Sequence, residues 1–390
     1  MIERGAPPRG RRRSWGSPVP IVVTVPILVT LALGLAACGV GRSAGVQASG
    51  SDPSAATPAA TVPVSAEAGP AQAPSSPNAP VPSSQAPSEQ PSRAVTIAFA
   101  GDIHAEGPAK VVASTGLGEI SAVLSAADVA VVNLETAIVT SGDAVAEPKT
   151  YTFKTSPSVL AGLAASGVDV ASMANNHGMD YGRIGLADSL DAIAANPVPR
   201  VIGIGATAAQ AWEPYVTEVG GRTIGVIGAT DVLESESWVA QGDVGGLASA
   251  KNASEETLIA AAAALAQQVD IAVVFLHWGR ELEVCPTDRQ QALATRLADA
   301  GVDIVAGSHA HVLQPVESVT GPSGHTATVA YGLGNFAWYH SREPSSITGV
   351  LTVTVEPDDS RSTSWQPAKI GSGLPTPQGD PLPVPVTGCS

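Results

Sequence analysis

Asp102 and His104 are separated by one residue, and so are His309 and His311. Residues i and i+2 of an extended chain point to the same side, so each pair can reach one centre or two neighbouring ones. Glu135, Asn176, His177 and His277 add a carboxylate, an amide and two more imidazoles. This mixture of donors suits Mn, Fe or Zn better than the all-oxygen cages of Ca or Mg. Two such ions about 3.5–4 Å apart, bridged by a carboxylate, would clamp the attacking and leaving oxygens of a displacement. Other chemistries lack their signatures: no serine sits in a Gly-x-Ser-x-Gly elbow, and no Gly-x-Gly-x-x-Gly follows the first apolar run. His325 and His340 stand alone and read as surface or satisfied polar residues. Asp169, Asp270 and Asp303 open apolar runs, where a structural role is expected.

The elements that must position these residues follow from the hydrophobic pattern. Buried strands are expected at Val95–Ala100, Val129–Val132, Val168–Met173, Ile271–Leu276 and Val302–Ala306. Helical segments are expected at Leu117–Ala127, Ser156–Ser166, Gly182–Ala194, Glu255–Gln268 and Arg289–Ala300. Gly220-Gly221 marks a hairpin between Val216–Val219 and Thr223–Gly228. The alternation argues an α/β domain. Each of the five strands runs into Asp, Glu, Asn or His at its carboxyl end, where ligands bind in such sheets. Five of the seven histidines lie there.

The chain has 390 residues, 44% hydrophobic and only 4% aromatic, with 35 acids against 20 bases and a net charge of -15. No basic footprint is present, which excludes a nucleic-acid partner. Residues 1–37 hold five arginines against Glu3, so the acid excess falls on the rest. Arg11-Arg12-Arg13 precedes the apolar run Val19 to Ala37, which ends in Leu35-Ala36-Ala37-Cys38. These are the parts of a secretory signal, and the ending resembles a bacterial lipobox. Residues 1–38 are expected to be a lipoprotein signal with Cys38 lipidated, or else an uncleaved anchor. Either places the remainder outside the cytoplasm, attached to the cell membrane. Residues 39–93, rich in Ala, Pro and Ser, read as a disordered spacer. The working domain is 94–370, followed by a loose Pro-rich tail, 371–390. Cys285 and Cys389 could pair in an oxidising compartment.

Taken together, Gly101-Asp102, Asn133-Leu134-Glu135, Asn175-Asn176-His177, His277-Trp278-Gly279, Gly307-Ser308-His309-Ala310-His311 and Gly334-Asn335-Phe336 resemble the CapA proteins of capsule and poly-γ-glutamate synthesis. The likeness spans about residues 95–340. That family is similar to calcineurin-like metallophosphoesterases, which implies a four-layer α/β/β/α sandwich and two divalent metals. Carried over by position, Asp102, His104, Glu135, Asn176, His277, His309 and His311 match metal ligands, with Glu135 at a bridging position that holds Asp in the wider superfamily. His177 matches the residue that protonates a leaving group. Ser308 and Ala310 depart from the family's common residues at positions that are not ligands, so little is expected to follow from them. Asn133, Asp180, Arg280, Glu281 and Asn335 are expected to support ligands or substrate. Lys154, Arg183 and Arg280 are the cations expected nearest a polyanion.

Two functions fit. One is an exported hydrolase with a binuclear metal centre, acting on a phosphoester or on an envelope polymer such as poly-γ-glutamate or capsule. The other is a non-catalytic polymer-binding or export component of a membrane synthesis complex. The acid excess argues against a broad polyanion-binding surface, and the full ligand set argues for chemistry.

Overall fold

The computed structural model describes residues 93–389. The signal, Cys38 and the spacer lie outside the described residues. Two sheets pack face to face, and the alternation of side chains along each strand explains why. In the strand Val95–Ile103, Ile97 and Phe99 enter the core between the sheets, while Ala98 and Ala100 face helices on the other side. In Ile271–His277, Val273 and Phe275 enter the central core, and Ala272, Val274 and Leu276 face helices. A strand buried on both faces reads as an unbroken apolar run, which is what these segments show.

In the first sheet, Val95–Ile103 runs parallel to Val129–Leu134, then Val170–Ser172, then Arg200–Ile202. On its other side Ile347–Val355, Arg361–Ile370 and Pro375–Pro377 follow antiparallel, and Asn335–Ala337 pairs with its end. In the second sheet, Arg222–Thr230, Ile271–His277, Ile304–Ser308 and Thr326–Ala330 are parallel. Tyr215–Val219 and Val316–Thr320 close its edges antiparallel. Helices Ser158–Ala165 and Gly182–Ala195 cover the first sheet, and Ser254–Ala266 and Asp288–Asp299 cover the second. The last begins with a capping box between Thr287 and Gln290, which satisfies free amides at the helix start. The result is the four-layer α/β/β/α sandwich.

A carboxylate at a strand start pins the register of its neighbour. Asp128 accepts from the Thr96 amide at 2.9 Å, Asp169 from Ala130 at 2.8 Å, Asp270 from Thr223 at 2.7 Å and Asp303 from Ala272 at 2.9 Å. This is the structural role expected for Asp169, Asp270 and Asp303.

Two expectations differ from the structure. The segment Leu117–Ala127 forms only a 3-10 turn, Gly118–Ile120, and one turn of helix, Ser121–Leu124. Gly116 and Gly118 take positive φ, and the chain bends there instead of continuing a helix. The tail is not loose either. Pro375–Pro377 extends the first sheet, Leu382 pairs with Trp365, and Cys389 is joined to Cys285 by a disulfide. Trp365 enters the core between the sheets and Ala368 the helix-covered core, so the strand that holds the tail is anchored on both faces. Among the described residues, no helix is long and apolar enough to cross a membrane.

Candidate metal centre

The carboxyl ends of both sheets' parallel strands meet at one place. Asp102 ends one strand and Asn133 lies near the end of its neighbour, while Glu135, Asn176 and His177 follow in the loops. From the second sheet come His277, at a strand end, and His309 and His311 in the loop after Ser308. Close backbone approach makes this possible. A Cβ on Gly101 would stand 1.8 Å from the Gly334 carbonyl, and one on Gly307 would stand 2.1 Å from that of Tyr331. The indole of Trp278, fully buried, donates to the Tyr331 carbonyl at 2.8 Å and locks the loop after His277.

Glu135 is the centre of the arrangement. It is fully buried, and neither carboxylate oxygen has a hydrogen-bond partner. A buried carboxylate left alone is costly. Burial and the nearby Asp102 carboxylate push its pKa well above the ordinary value, so it strongly favours a positive partner or a proton. Two groups of donor atoms lie within coordinating reach of one another: Asp102, Glu135 and His277, and Glu135, His309 and His311. Glu135 belongs to both. The Nδ1 of His309 is also buried without a partner. Burial holds His277 well below its ordinary pKa and lowers His309 to about 3, which keeps both imidazoles neutral and able to ligate. The donor set therefore fits divalent transition metals.

The surrounding hydrogen bonds fix these side chains. Asp102 accepts from the Asn133 amide at 2.8 Å and lies 3.1 Å from His311 Nδ1. Burial pulls His311 down, but its bond to Asp102 outweighs that and its pKa is raised. Asn335 Oδ1 is 2.9 Å from the same His311 nitrogen. His277 Nε2 lies 2.8 Å from Asn176 Oδ1 and 3.5 Å from Glu135, and its Nδ1 is 3.0 Å from Ser308 Oγ. Ser308 thus anchors a candidate ligand, more than the little expected to follow from it.

His104 departs from the expected set. The register of the first strand shifts between Asp102 and Ile103, and such an irregularity re-aims side chains. The ring of His104 packs among Phe153, Trp338 and Tyr339, with centroids 4.7–4.9 Å away, and joins neither donor group. His309 and His311 converge by a different route from the one expected: both take positive φ, 91° and 56°, so the loop curls instead of extending. Non-glycine residues held there mark strain of the kind found at functional sites.

His177 sits at the rim. Its Nδ1 is 2.6 Å from Asp180, its Nε2 is 3.9 Å from Glu135, and Phe153 stacks on its ring at 4.0 Å. Burial lowers its pKa, and the bond to Asp180 opposes that. Sequence reasoning missed Lys149, whose ammonium donates to Asp180 at 2.8 Å and to the Asn176 carbonyl at 2.6 Å. The cations expected there are elsewhere: Lys154 lies over Tyr181, Arg183 binds the Gly245 and Ser237 carbonyls, and Arg280 lines a separate cleft with Asp231. His325 borders a cleft at the other end of the second sheet, beside Asp303. Above the donor groups opens a cleft of about 160 Å³, floored by His177 and His311 and edged by Glu281 and His340.

Residues 96–339, more than half of the chain, match the family described as bacterial capsule synthesis protein PGA_cap. The chain belongs to this family. All the candidate ligands fall inside the matched stretch. A relative in the family's line of work, PGA biosynthesis protein CapA of Bacillus subtilis (strain 168), is 34% identical over 183 residues, 46% of this chain and 46% of that protein. A probable polyglutamine synthesis accessory protein of Mycobacterium tuberculosis is 33% identical over 227 residues, 56% of this chain and 58% of its own. Capsule biosynthesis protein CapA of Bacillus anthracis is 27% identical over 212 residues, 54% of this chain and 50% of its own. The chain spans about half the length of the curated relatives it matches. Among solved structures, the NAD nucleotidase of Haemophilus influenzae superposes on 74% of this chain and 54% of its own, at 15% identity and a TM-score of 0.46, a likeness too distant to argue from.

Proposed function

We propose that this protein is a hydrolase with two divalent metals, acting on a phosphoester or an envelope polymer in capsule or poly-γ-glutamate synthesis, and tethered outside the cytoplasm through lipid on Cys38. The observation that carries the chemistry is Glu135, a buried carboxylate with no protein partner that belongs to two converging donor groups. Asp102, Glu135 and His277 would hold one ion, and Glu135, His309 and His311 the other, with Asn176 beside His277. When bound, the ions would supply Lewis acidity and an activated nucleophile.

The chain's own groups account for the rest. Asp102 is oriented by Asn133, His277 by Ser308 and Asn176, and His311 by Asn335. His177 faces the cleft, with Asp180 fixing its Nδ1, and is placed to pass a proton through Nε2. In phosphoester hydrolysis the oxygen of water bonds to phosphorus as one of its protons passes to solvent, the bond to the leaving oxygen breaks, and His177 gives that oxygen its proton and regains one from solvent. Burial opposes the cationic imidazole this requires, and Asp180 favours it. The roles printed in the relatives' names support the setting in polymer synthesis. The acid excess of the chain supports a focused reaction site over a polymer-coating surface.

The test is turnover of p-nitrophenyl phosphate and of a γ-glutamyl oligomer by the full chain, loaded with Mn or Zn. Metal-dependent release that chelation abolishes is expected, with His177→Ala slowing it about a hundredfold or more. A chain fully loaded with metal that turns over neither would favour the non-catalytic export component instead.

A further inference from the structure

The two ring nitrogens of His277 face different surroundings. Nε2 looks into the donor groups, 2.8 Å from Asn176 Oδ1 and 3.5 Å from a Glu135 oxygen. Nδ1 looks away from them, 3.0 Å from Ser308 Oγ and 3.2 Å from Asn133 Nδ2. Burial holds the ring well below its ordinary pKa, so it carries a single proton, on one nitrogen or the other. The nitrogen that carries it has no lone pair to offer an ion. Its position therefore decides whether His277 can join Asp102 and Glu135 as a ligand.

Backbone groups settle the direction of the neighbouring amides. Asn175 Oδ1 accepts from the His177 N–H at 3.0 Å, and Asn175 Nδ2 donates to the Leu134 carbonyl at 2.9 Å. The same Nδ2 donates to Asn133 Oδ1 at 3.1 Å. Asn133 Nδ2 is then left to donate, to Asp102 at 2.8 Å and towards His277 Nδ1. A hydrogen aimed at Nδ1, with oxygens beside Nε2, draws the ring proton to Nε2, the nitrogen an ion needs. At Nδ1, among the described residues, the group able to accept is Ser308 Oγ, whose own hydrogen can turn towards the Leu276 carbonyl, 3.5 Å away. The sheet puts it there. His277 and Ser308 stand opposite each other on parallel strands, and the Trp278 amide donates to the Ser308 carbonyl at 3.1 Å. Ser308 is 1% exposed, so bulk water does not take its place.

We infer that Ser308 is a positioning residue for metal loading: it accepts the His277 proton at Nδ1 and so leaves the Nε2 lone pair free for a divalent ion. The inference rests on the donor groups holding metal. The shift is balanced, since one proton leaves Nε2 for water, another reaches Nδ1, and the ring stays neutral. Without the hydroxyl, His277 would still be fully bonded, through Nε2 to Asn176 and through Nδ1 to Asn133. The chain would then lose metal affinity without losing stability.

Zinc binding by the full chain, measured by competition with a chromophoric chelator, tests this. Ser308→Ala is expected to bind zinc about tenfold to a hundredfold more weakly, with a melting temperature in excess chelator equal to the parent's. Ser308→Thr, which restores a hydroxyl, should recover part of the affinity. Nitrogen NMR of the histidine-labelled parent adds a readout that packing alone would not move and that needs no Ser308 variant. The His277 signals, assigned by their absence in His277→Gln, should show the proton on Nε2 in chelator and on Nδ1 with zinc. Equal zinc affinity in parent and Ser308→Ala, or a proton that stays on Nε2 in the zinc-loaded parent, would overturn the inference and leave the metal centre standing. A parent chain that binds no zinc would overturn the metal centre itself, and this inference with it.

Discussion

Lys149 and Glu135 are opposite cases of buried charge. Glu135 is buried with no hydrogen-bond partner for either carboxylate oxygen, a demand that a cation would meet. Lys149 is buried with three oxygen or nitrogen atoms near its ammonium: Asp180 at 2.8 Å, the Asn176 carbonyl at 2.6 Å and His177 Nδ1 at 3.4 Å. It holds the loop that carries Asn176 and His177 from above, together with the Phe153 amide, which donates to Asp180 at 2.6 Å. Lys149 is therefore a positioning residue. Lys149→Met is expected to lower turnover about tenfold or more with KM and metal content nearly unchanged, and Lys149→Arg to recover part of the loss. A variant with native turnover would show that Asp180 and Phe153 suffice. At this scale the sequence displayed the residues that share motifs and concealed those that do not. Lys149 lies in the stretch 139–153, which has no periodicity to mark it, and its role depends on a fold-back that sequence does not encode locally. His104 stands outside both donor groups for a related reason, since i, i+2 spacing aims two side chains together only where the strand keeps its register.

The elements obey the same logic with fewer surprises. Runs of Val, Ile, Ala and Phe with few polar interruptions forced strands buried on both faces, and the residue types at their ends followed. Irregular pieces were harder. The segment from Leu117 to Ala127 has helical composition, but Gly116 and Gly118 at positive φ shorten it to single turns, and tertiary context overrides propensity in so short a stretch. The strand Arg361–Ile370 carries Pro367 and mostly polar residues, so it gave only a weak signal although it lies inside the sheet. What keeps the strands in register is the set of carboxylates at their starts. Asp128 shows how this responds to pH. The Arg93 guanidinium holds its carboxyl below the ordinary 3.8, against the opposing effect of partial burial, with help from Thr96. A depressed carboxyl pKa adds stability that is present above 3.8 and lost as pH falls through the folded value. Asp128→Asn should lower unfolding free energy by about 1 kcal/mol at pH 7, a modest figure because Arg93 is exposed. The gap between variant and parent should close below pH 3.8 in denaturant titrations. A gap that stays constant down to pH 2 would show that the carboxylate's charge is not what pins Thr96.

In the domain as a whole, two sheets present their strand ends to one point, and neither sheet carries a complete donor set. Asp102 and Glu135 come from one side and His277, His309 and His311 from the other, so the centre forms only when the sandwich closes. The disulfide ties the same parts together: Cys285 follows the loop after His277, and Cys389 ends a tail that runs along the first sheet. The family match, residues 96–339, covers every residue of this convergence but not the closing strands or Cys389, which explains why motifs scattered over more than two hundred residues could be recognised as one site from sequence. The central claim is that this convergence holds two ions through Glu135. Elemental analysis of the purified full chain, prepared without chelator, tests it most directly. About two transition-metal ions per chain are expected, falling to one or fewer in Glu135→Gln while circular dichroism stays native. A chain that takes up no metal even after titration with Mn and Zn, or a Glu135→Gln variant that keeps both ions, would contradict the account.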